Sequence, residues 1–313
     1  MEKNIKVSFV ATFLNEENSI EEFIDSLLAQ TKIPDEIILI DGGSTDQSVA
    51  KLKRKKKLKN IQILNQKGNR SVGRNFGIKR AKYDYILVSD VGCLLKKDWV
   101  EKMTRGFEQG IDVVAGYYLP KTRNTFEKAL ATYTCVMPDR VDPVAYLPSS
   151  RSIGFTKHAW HGVGGYPEHL NTCEDLVFAR DLKKKGFVFK FIKSALVYWP
   201  QKRTLKEAFW QFFGYAVGDG EAFYIRPQTY VLFTRYFLGL LMVVYFLITK
   251  NILILYLFVI IHALYSAWAV AKNYRYVQHL RAFYILPILQ YTADVAVLLG
   301  TTLGIVKYIQ KKL

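Results

Sequence analysis

Apolar residues recur along this chain in two rhythms. Up to about position 200, short apolar runs alternate with longer stretches in which apolar side chains return every three to four residues. Residues 7–13 read as a buried strand, and 19–30 as a helix through Ile20, Phe23, Ile24, Leu27 and Leu28. After Pro34, a strand over 36–40 stops at Asp41. Strands are predicted over 61–64 and 85–88 with a helix over 71–82 between them, then a helix over 99–109 and a strand over 113–118. Prolines 138, 143 and 148 break the stretch 121–152, which is expected to be irregular. A helix over 174–184 and strands over 188–192 and 196–198 follow. Strands alternating with helices predict an α/β fold with a mostly parallel sheet flanked by helices, whose ligands gather at the carboxyl ends of the strands.

The rhythm changes near Thr229. Residues 231–248 and 252–270 are apolar runs, each able at about 1.5 Å per residue to cross most of a hydrocarbon core of roughly 30 Å. A third run, 282–306, holds Pro287, Gln290 and Asp294, and its pattern is open between a span, a re-entrant segment and an interfacial helix. Before these, 204–213 reads as a helix with Phe209, Trp210, Phe212 and Phe213 near its end and Lys202, Arg203 and Lys206 at its start. That pairing suits a bilayer interface, with packing against the sheet as the competing reading. The expected organisation is a catalytic domain over 1–203, an amphipathic interfacial helix and linker over 204–229, and a membrane domain over 230–313 with two or three hydrophobic helices.

The net charge of +17 admits an anionic partner. The clearest basic block, 51–59, falls where a helix should follow Asp41, so it reads first as a solvated face and second as an attraction to anionic lipid. Nucleic acid comes last, since no nucleic-acid motif is present and none is expected as a partner. The first residues lead straight into a strand without a signal-peptide pattern, which predicts an integral membrane protein with its catalytic domain in the cytoplasm. Cys93, Cys135 and Cys173 are too few and scattered for a disulfide framework or a zinc site, in keeping with a reducing compartment. With the first domain inside, two spans return Lys272, Arg275 and Arg281 to the cytoplasm, whereas a third full span would put Lys307, Lys311 and Lys312 outside, against the positive-inside preference.

Chemistry concentrates in carboxylates at strand ends: Asp41-Gly42-Gly43-Ser44-Thr45-Asp46, Ser89-Asp90-Val91-Gly92-Cys93, and Cys173-Glu174-Asp175. The glycines after Asp41 permit a tight turn near a ligand, and Ser44 or Asp46 can cap the next helix. Together with residues 7–17, Gly73-Arg74-Asn75-Phe76-Gly77 and Gly164-Gly165-Tyr166-Pro167-Glu168, this ordered set resembles family 2 of the inverting glycosyltransferases, whose nucleotide-sugar domain has the GT-A fold. The resemblance covers residues 6–198.

The resemblance implies a nucleotide pocket lined by Thr12, Phe13 and Asn15, with Glu16 at its rim. Phe13 is read as a ring that stacks on a base, or else as a strand-end core residue. Asp41 would accept a hydrogen bond from the nucleotide, the alternative being a turn carboxylate. Arg70 and Arg74 would bring a guanidinium fork near the diphosphate, one of the two being a surface charge. Asn75 would brace the loop through its amide. Asp90 takes the place of the first carboxylate of the family's Asp-x-Asp motif, which meets the ribose and a divalent cation, Mg or Mn. Gly92 replaces the second, so the ion is held through Asp90, water and diphosphate, or positive side chains replace it. Asp175 would be the general base, with Glu174 the weaker candidate. Against that pair stands an acidic first helical turn favoured by the helix dipole. His158, His161 and His169 lack metal-site spacing.

The expected activity is inverting transfer of a sugar from a nucleotide-diphosphate donor, UDP favoured over GDP or dTDP, to a lipid-linked or glycan acceptor at the cytoplasmic membrane face. Gln211 is followed by Phe212-Phe213-Gly214-Tyr215 where processive relatives carry Gln-x-x-Arg-Trp, which argues for a non-processive enzyme. The rival enzyme is a polyprenyl-phosphate glycosyl synthase, and the rival from another class a catalytically silent nucleotide-sugar-binding membrane module.

Overall fold

The computed structural model describes residues 5–55 and 61–312. In chain order the elements are β1 (Val7–Phe13), α1 (Ile20–Leu28), β2 (Glu36–Asp41), α2 (Ser48–Arg54), β3 (Ile61–Asn65), α3 (Arg70–Arg80), β4 (Tyr85–Val88), β5 (Leu94–Leu95), α4 (Trp99–Arg105), β6 (Val113–Lys121), α5 (Thr125–Thr134), β7 (Ile153–Thr156), α6 (Lys157–Gly162), α7 (Glu174–Lys184), β8 (Phe189–Pro200), α8 (Leu205–Glu221), α9 (Pro227–Thr249), α10 (Ile252–Val277) and α11 (Ala282–Gln310). They divide into two compact units, residues 1–121 with 137–200, and residues 122–136 with 201–313.

The first unit is built on an eight-stranded sheet in the order β3-β2-β1-β4-β7-β6-β8-β5. Strands β3, β2, β1 and β4 pair in parallel, while β7 runs antiparallel to both β4 and β6. Apolar side chains of β1 alternate between two cores: Val7, Phe9, Ala11 and Phe13 pack with α1 and α4, and Val10 packs under α3, α6 and α7. This is why β1 carries an unbroken apolar run: it is covered on both faces. Helix α3 lies close on the sheet because two of its residues lack side chains. A Cβ on Gly73 would come within 2.7 Å of Thr12 Cγ2, and one on Gly77 within 2.7 Å of Val10 Cγ1. The GT-A expectation of a mostly parallel, helix-flanked sheet followed by long apolar helices holds. The strands expected over 188–192 and 196–198 are one strand, β8, which pairs in parallel with β6 across an irregularity between Ala115 and Tyr117. The basic block falls partly on α2, where Lys51 donates to the Glu17 carbonyl and Lys55 pairs with Asp25; residues 56–59 lie outside the described residues.

The second unit is helical. Helix α5, inside the stretch expected to be irregular, contributes Ala129 and Leu130 to a core with Ala208 and Phe212 of α8 and Leu286 and Leu289 of α11. Helix α8 opens with a capping box between Thr204 and Glu207 and runs on to Glu221, beyond its expected end. It packs along α11 through small residues: a Cβ on Gly304 would lie 2.3 Å from the Val217 carbonyl oxygen, and one on Gly220 2.7 Å from that of Thr301. Helices α9, α10 and α11 are each long and apolar enough to cross a membrane. Their burial differs: 6% of the apolar window in α9 and in α10, against 33% in α11. One polar joint ties all three, since buried Asp294 accepts hydrogen bonds from Arg235 at 2.7 Å, Tyr265 at 2.8 Å and Tyr236 at 3.1 Å.

Candidate active site

The carboxyl ends of β1, β2 and β4 converge on one face of the first unit. Asp41 ends β2 and is buried. Its Oδ1 accepts from the backbone N–H groups of Gly43 and Ser44, at 3.2 and 2.8 Å, and its Oδ2 from Asn65 Nδ2 at 3.0 Å. The carboxylate thus shapes the turn after β2. That turn is laced to the loop after β1, because Asn15, at a left-handed φ of 55°, accepts from Thr45 N at 2.9 Å and donates its own N–H to Ser44 Oγ at 3.0 Å. Thr12 is half-buried and Glu16 reaches Ser19 Oγ. Phe13 is 3% exposed, with its ring in the core, the second of the two roles its position allows. Asp46 accepts from Ser48 N at 3.0 Å, bracing the start of α2.

Arg74 organises the other half of the face. It is 1% exposed, and its two terminal nitrogens divide between Asp90 Oδ1 at 2.6 Å and Glu174 Oε1 at 2.8 Å. Burial would favour a neutral Arg74, but Asp90 and Glu174 hold it firmly charged. Burial also acts on Asp90, yet Arg74, Arg151 and Arg70 outweigh it and hold the carboxyl below its ordinary range. Burial pushes Glu174 upward; Arg74 opposes this and Asp175 reinforces it. Arg70 opens α3 on the surface, one turn before Arg74 and on the same side of the helix.

Asparagines fasten α3 to the segment that carries the last carboxylates. Asn69 caps α3 by accepting from Val72 N, and donates to the carbonyls of Glu168 and Leu170 at 2.7 and 3.1 Å. Asn75 uses its whole amide: Oδ1 accepts from Tyr166 N at 2.9 Å and Trp160 Nε1 at 3.0 Å, while Nδ2 donates to the Tyr166 carbonyl and to Glu168. The chain then turns through Cys173 at a φ of 67° and enters α7, whose first turn holds Glu174 and Asp175. Asp175 is half-buried; Oδ1 accepts from Leu176 N at 2.8 Å and Oδ2 faces Ser150 N at 3.4 Å. Sequence reasoning passed over Asn69, Ser150 and Arg151, of which only Asn69 left a signal, a capping residue placed before a helix.

Cys93 is buried and its thiol is pushed up by that burial, so it stays protonated. Among the described residues no group of three or more His, Cys, Asp or Glu side chains could hold a metal ion. Gly92 has φ +96°, a conformation that an aspartate would adopt only under strain. The donor set is therefore Asp90, with one oxygen engaged by Arg74; it fits an ion that takes its remaining ligands from a diphosphate and water.

Residues 8–157 match the family described as Glycosyl transferase family 2. The chain carries a family 2 glycosyltransferase domain. An uncharacterized glycosyltransferase of Bacillus subtilis (strain 168), EpsJ, is 30% identical to it over 185 residues, which are 56% of this chain and 52% of EpsJ. The chain thus spans about half the length of that curated relative. Among solved structures, the fold around the family 2 domain is like that of Staphylococcus aureus TarS 1-349 in complex with UDP-GlcNAc, with TM-score 0.51, 16% sequence identity, and coverage of 68% of this chain and 66% of TarS. The mannosyltransferase PcManGT from Pyrobaculum calidifontis, in complex with GDP-Man and Mn2+, has TM-score 0.61 at 14% identity, covering 100% of this chain and 89% of its own. At such identities the likeness is one of fold.

Proposed function

We propose that this protein is an inverting, non-processive glycosyltransferase. It moves one sugar from a nucleotide-diphosphate donor to a hydroxyl of a lipid-linked or glycan acceptor at the cytoplasmic face of a membrane. The observation that carries the reading is the buried Arg74 bridging Asp90 and Glu174, which places Asp175, the next residue, half-exposed on the face where the β-strands end. In the reaction the acceptor oxygen attacks the anomeric carbon, its proton passes to the Asp175 carboxylate, and the bond to the diphosphate breaks with its electron pair leaving on the nucleotide. Leu176 N orients that carboxylate. Glu174, spent on Arg74, positions α7 and takes no proton. Donors bound by the structural neighbours, UDP-GlcNAc and GDP-Man, support a nucleotide sugar here. Asp90 would hold a divalent cation, Mg or Mn, whose charge would stabilise the departing diphosphate.

For the membrane side, α9 and α10 as the two spans return Lys272, Arg275 and Arg281 to the side they left. In this reading α11, a third buried along its apolar window and packed on α8, is an interfacial helix, so that Lys307, Lys311 and Lys312 would stay on that side too. The deciding experiment is Asp175→Asn with a donor panel, lipid extract and mass analysis of the product. Turnover should fall by about 10²–10⁴-fold while donor binding is kept. Near-normal turnover would sink the base assignment and move the acceptor to an anionic polyprenyl phosphate. Release of no nucleotide diphosphate from any donor by the wild type would leave a silent binding module.

A further inference from the structure

One short stretch beside Asp175 takes no part in the proposed reaction: Ser149-Ser150-Arg151-Ser152, just before β7. It is a tight turn, closed by the Ser152 N–H donating to the Ser149 carbonyl at 3.0 Å. Three neighbours fix it to the sheet. Trp99 Nε1 of α4 donates to Ser152 Oγ at 2.8 Å, the Gly116 N–H of β6 to the Ser152 carbonyl at 3.0 Å, and Ser89 Oγ to the Arg151 carbonyl at 2.8 Å. Gly116 permits this closeness, since a Cβ there would stand 2.0 Å from Ser152 Oγ. Ser89 is the residue before Asp90, so the turn is registered to the strand end that carries the donor-side carboxylate.

From this fixed turn Ser150 reaches towards α7 by two routes. Its N–H donates to Asp175 Oδ2 at 3.4 Å, and its buried hydroxyl donates to the hydroxyl of buried Tyr166 at 3.1 Å. The Tyr166 ring stacks on Phe178, with centres 4.0 Å apart and planes inclined by 24°. Phe178 follows Asp175 by three positions on α7, so the two are neighbours on one side of the helix. The contacts close a circuit from Asp175 through Ser150, Tyr166 and Phe178, and back along one turn of α7. Within it the two carboxylate oxygens differ. Oδ1 is engaged by Leu176 N at 2.8 Å, whereas Oδ2 has, among the described residues, only the long hydrogen bond from Ser150. Long hydrogen bonds of this kind are common at catalytic groups before substrate arrives.

We propose that Ser150 and Tyr166 are positioning residues for the base: they aim Asp175 Oδ2 at the acceptor hydroxyl and register it against the strand end that carries Asp90. The proton released as the acceptor oxygen bonds to the anomeric carbon goes to Oδ2, and the electron pair of the broken bond leaves on the diphosphate. A link between two hydroxyls suits this task, because it fixes a direction without placing another charge beside the base. This positioning role rests on the reading of Asp175 as general base.

The test is steady-state kinetics of the purified full chain in lipid, with UDP- and GDP-sugars as donors, a lipid extract as acceptor and nucleotide diphosphate release as the readout. Tyr166→Phe keeps the ring on Phe178, and Ser150→Ala removes a single oxygen, so the two cut one link from opposite ends. Either alone keeps the test sound if the other fails to fold. Each should lower kcat by about 5- to 30-fold with the donor KM within about twofold, and the double variant should lose no more than either alone. In an Asp175→Asn background, Tyr166→Phe should change turnover by less than about twofold, because no base is left to aim. Single variants with kcat within about twofold of wild type, alongside a full loss in Asp175→Asn, would overturn the positioning role and leave the base. A raised donor KM with kcat unchanged, or a further loss in the Asp175→Asn background, would equally overturn it. Near-normal turnover of Asp175→Asn would overturn the base reading and the positioning role with it. So would a wild type that releases no nucleotide diphosphate from any donor.

Discussion

Arg74→Met removes a cation shared by the buried Glu174 and the partly buried Asp90, while keeping most of the side chain's volume. Glu174 has a side chain 6% exposed and would be left as an unpaired charge; Asp90, at 26%, retains some water. Breaking a buried pair costs about 3–5 kcal/mol, and the water at Asp90 argues for the lower end, about 3 kcal/mol. For a unit of this size that corresponds to a fall in melting temperature of about 6–12 °C. Trp99 and Trp160 are buried in the same unit, so intrinsic fluorescence of the detergent-solubilised protein at fixed heating rate follows the transition. Adding Glu174→Gln to Arg74→Met removes the stranded charge and should return about 1–3 kcal/mol, whereas the same substitution in the wild type should destabilise. A melting temperature for Arg74→Met within about 2 °C of wild type, or no rescue in the double variant, would refute the argument that this arginine holds the face together.

The remaining predictions concern acid, the helix pair and topology. Because Arg74, Arg151 and Arg70 hold the Asp90 pKa below its unfolded value, this carboxylate contributes stability that is fully present above the ordinary carboxylate pKa and lost as pH falls through the depressed one. Asp90→Asn should therefore flatten the loss of melting temperature below about pH 4, and an unchanged acid limb would contradict it. Gly304→Leu drives a side chain into the Val217 carbonyl and should cost about 1–3 kcal/mol or more, read as a lower melting temperature and loss of a monodisperse peak on size exclusion. A cysteine introduced as Lys312→Cys should react with an impermeant maleimide only after cells are permeabilised. Labelling of intact cells would instead make α11 a full span.

Strands β1, β2 and β4 of the parallel half were legible because they are buried on both faces and so appear as apolar runs, two of them closed by Asp41 and Ser89-Asp90. Helix α7 and its acidic start were legible for the same local reason. What joins them was not: Arg74 and Glu174 are separated by 100 positions, and nothing in a run of sequence says that a guanidinium will be buried between two carboxylates. Phe13 shows the converse, since at a strand end a ring facing the ligand and a ring facing the core leave the same pattern, and packing against its neighbours in the core decided it. Helix α5 escaped because it sits just before a proline-broken loop, and its apolar residues answer to α8 and α11 rather than to the sheet beside which it lies in sequence. Helix α8 outran its expected end because glycines that weaken a lone helix are what let it close on α11.

The membership of α5 in the helical unit bears on how the protein is made. Residues 122–136 leave the ribosome long before α8 and α11, the helices that cover Ala129 and Leu130 and that supply the Leu286 carbonyl to the Tyr133 hydroxyl. Until α8 begins at Leu205 that apolar segment lacks its partners in the helical unit, and the last of them arrive only with α11. Packing of the α5 segment is thus tied to completion of the helical unit. A shortened gene ending at Pro200 would yield a soluble catalytic unit only if the α5 segment were also replaced, for instance by a short polar connection between Lys121 and Met137.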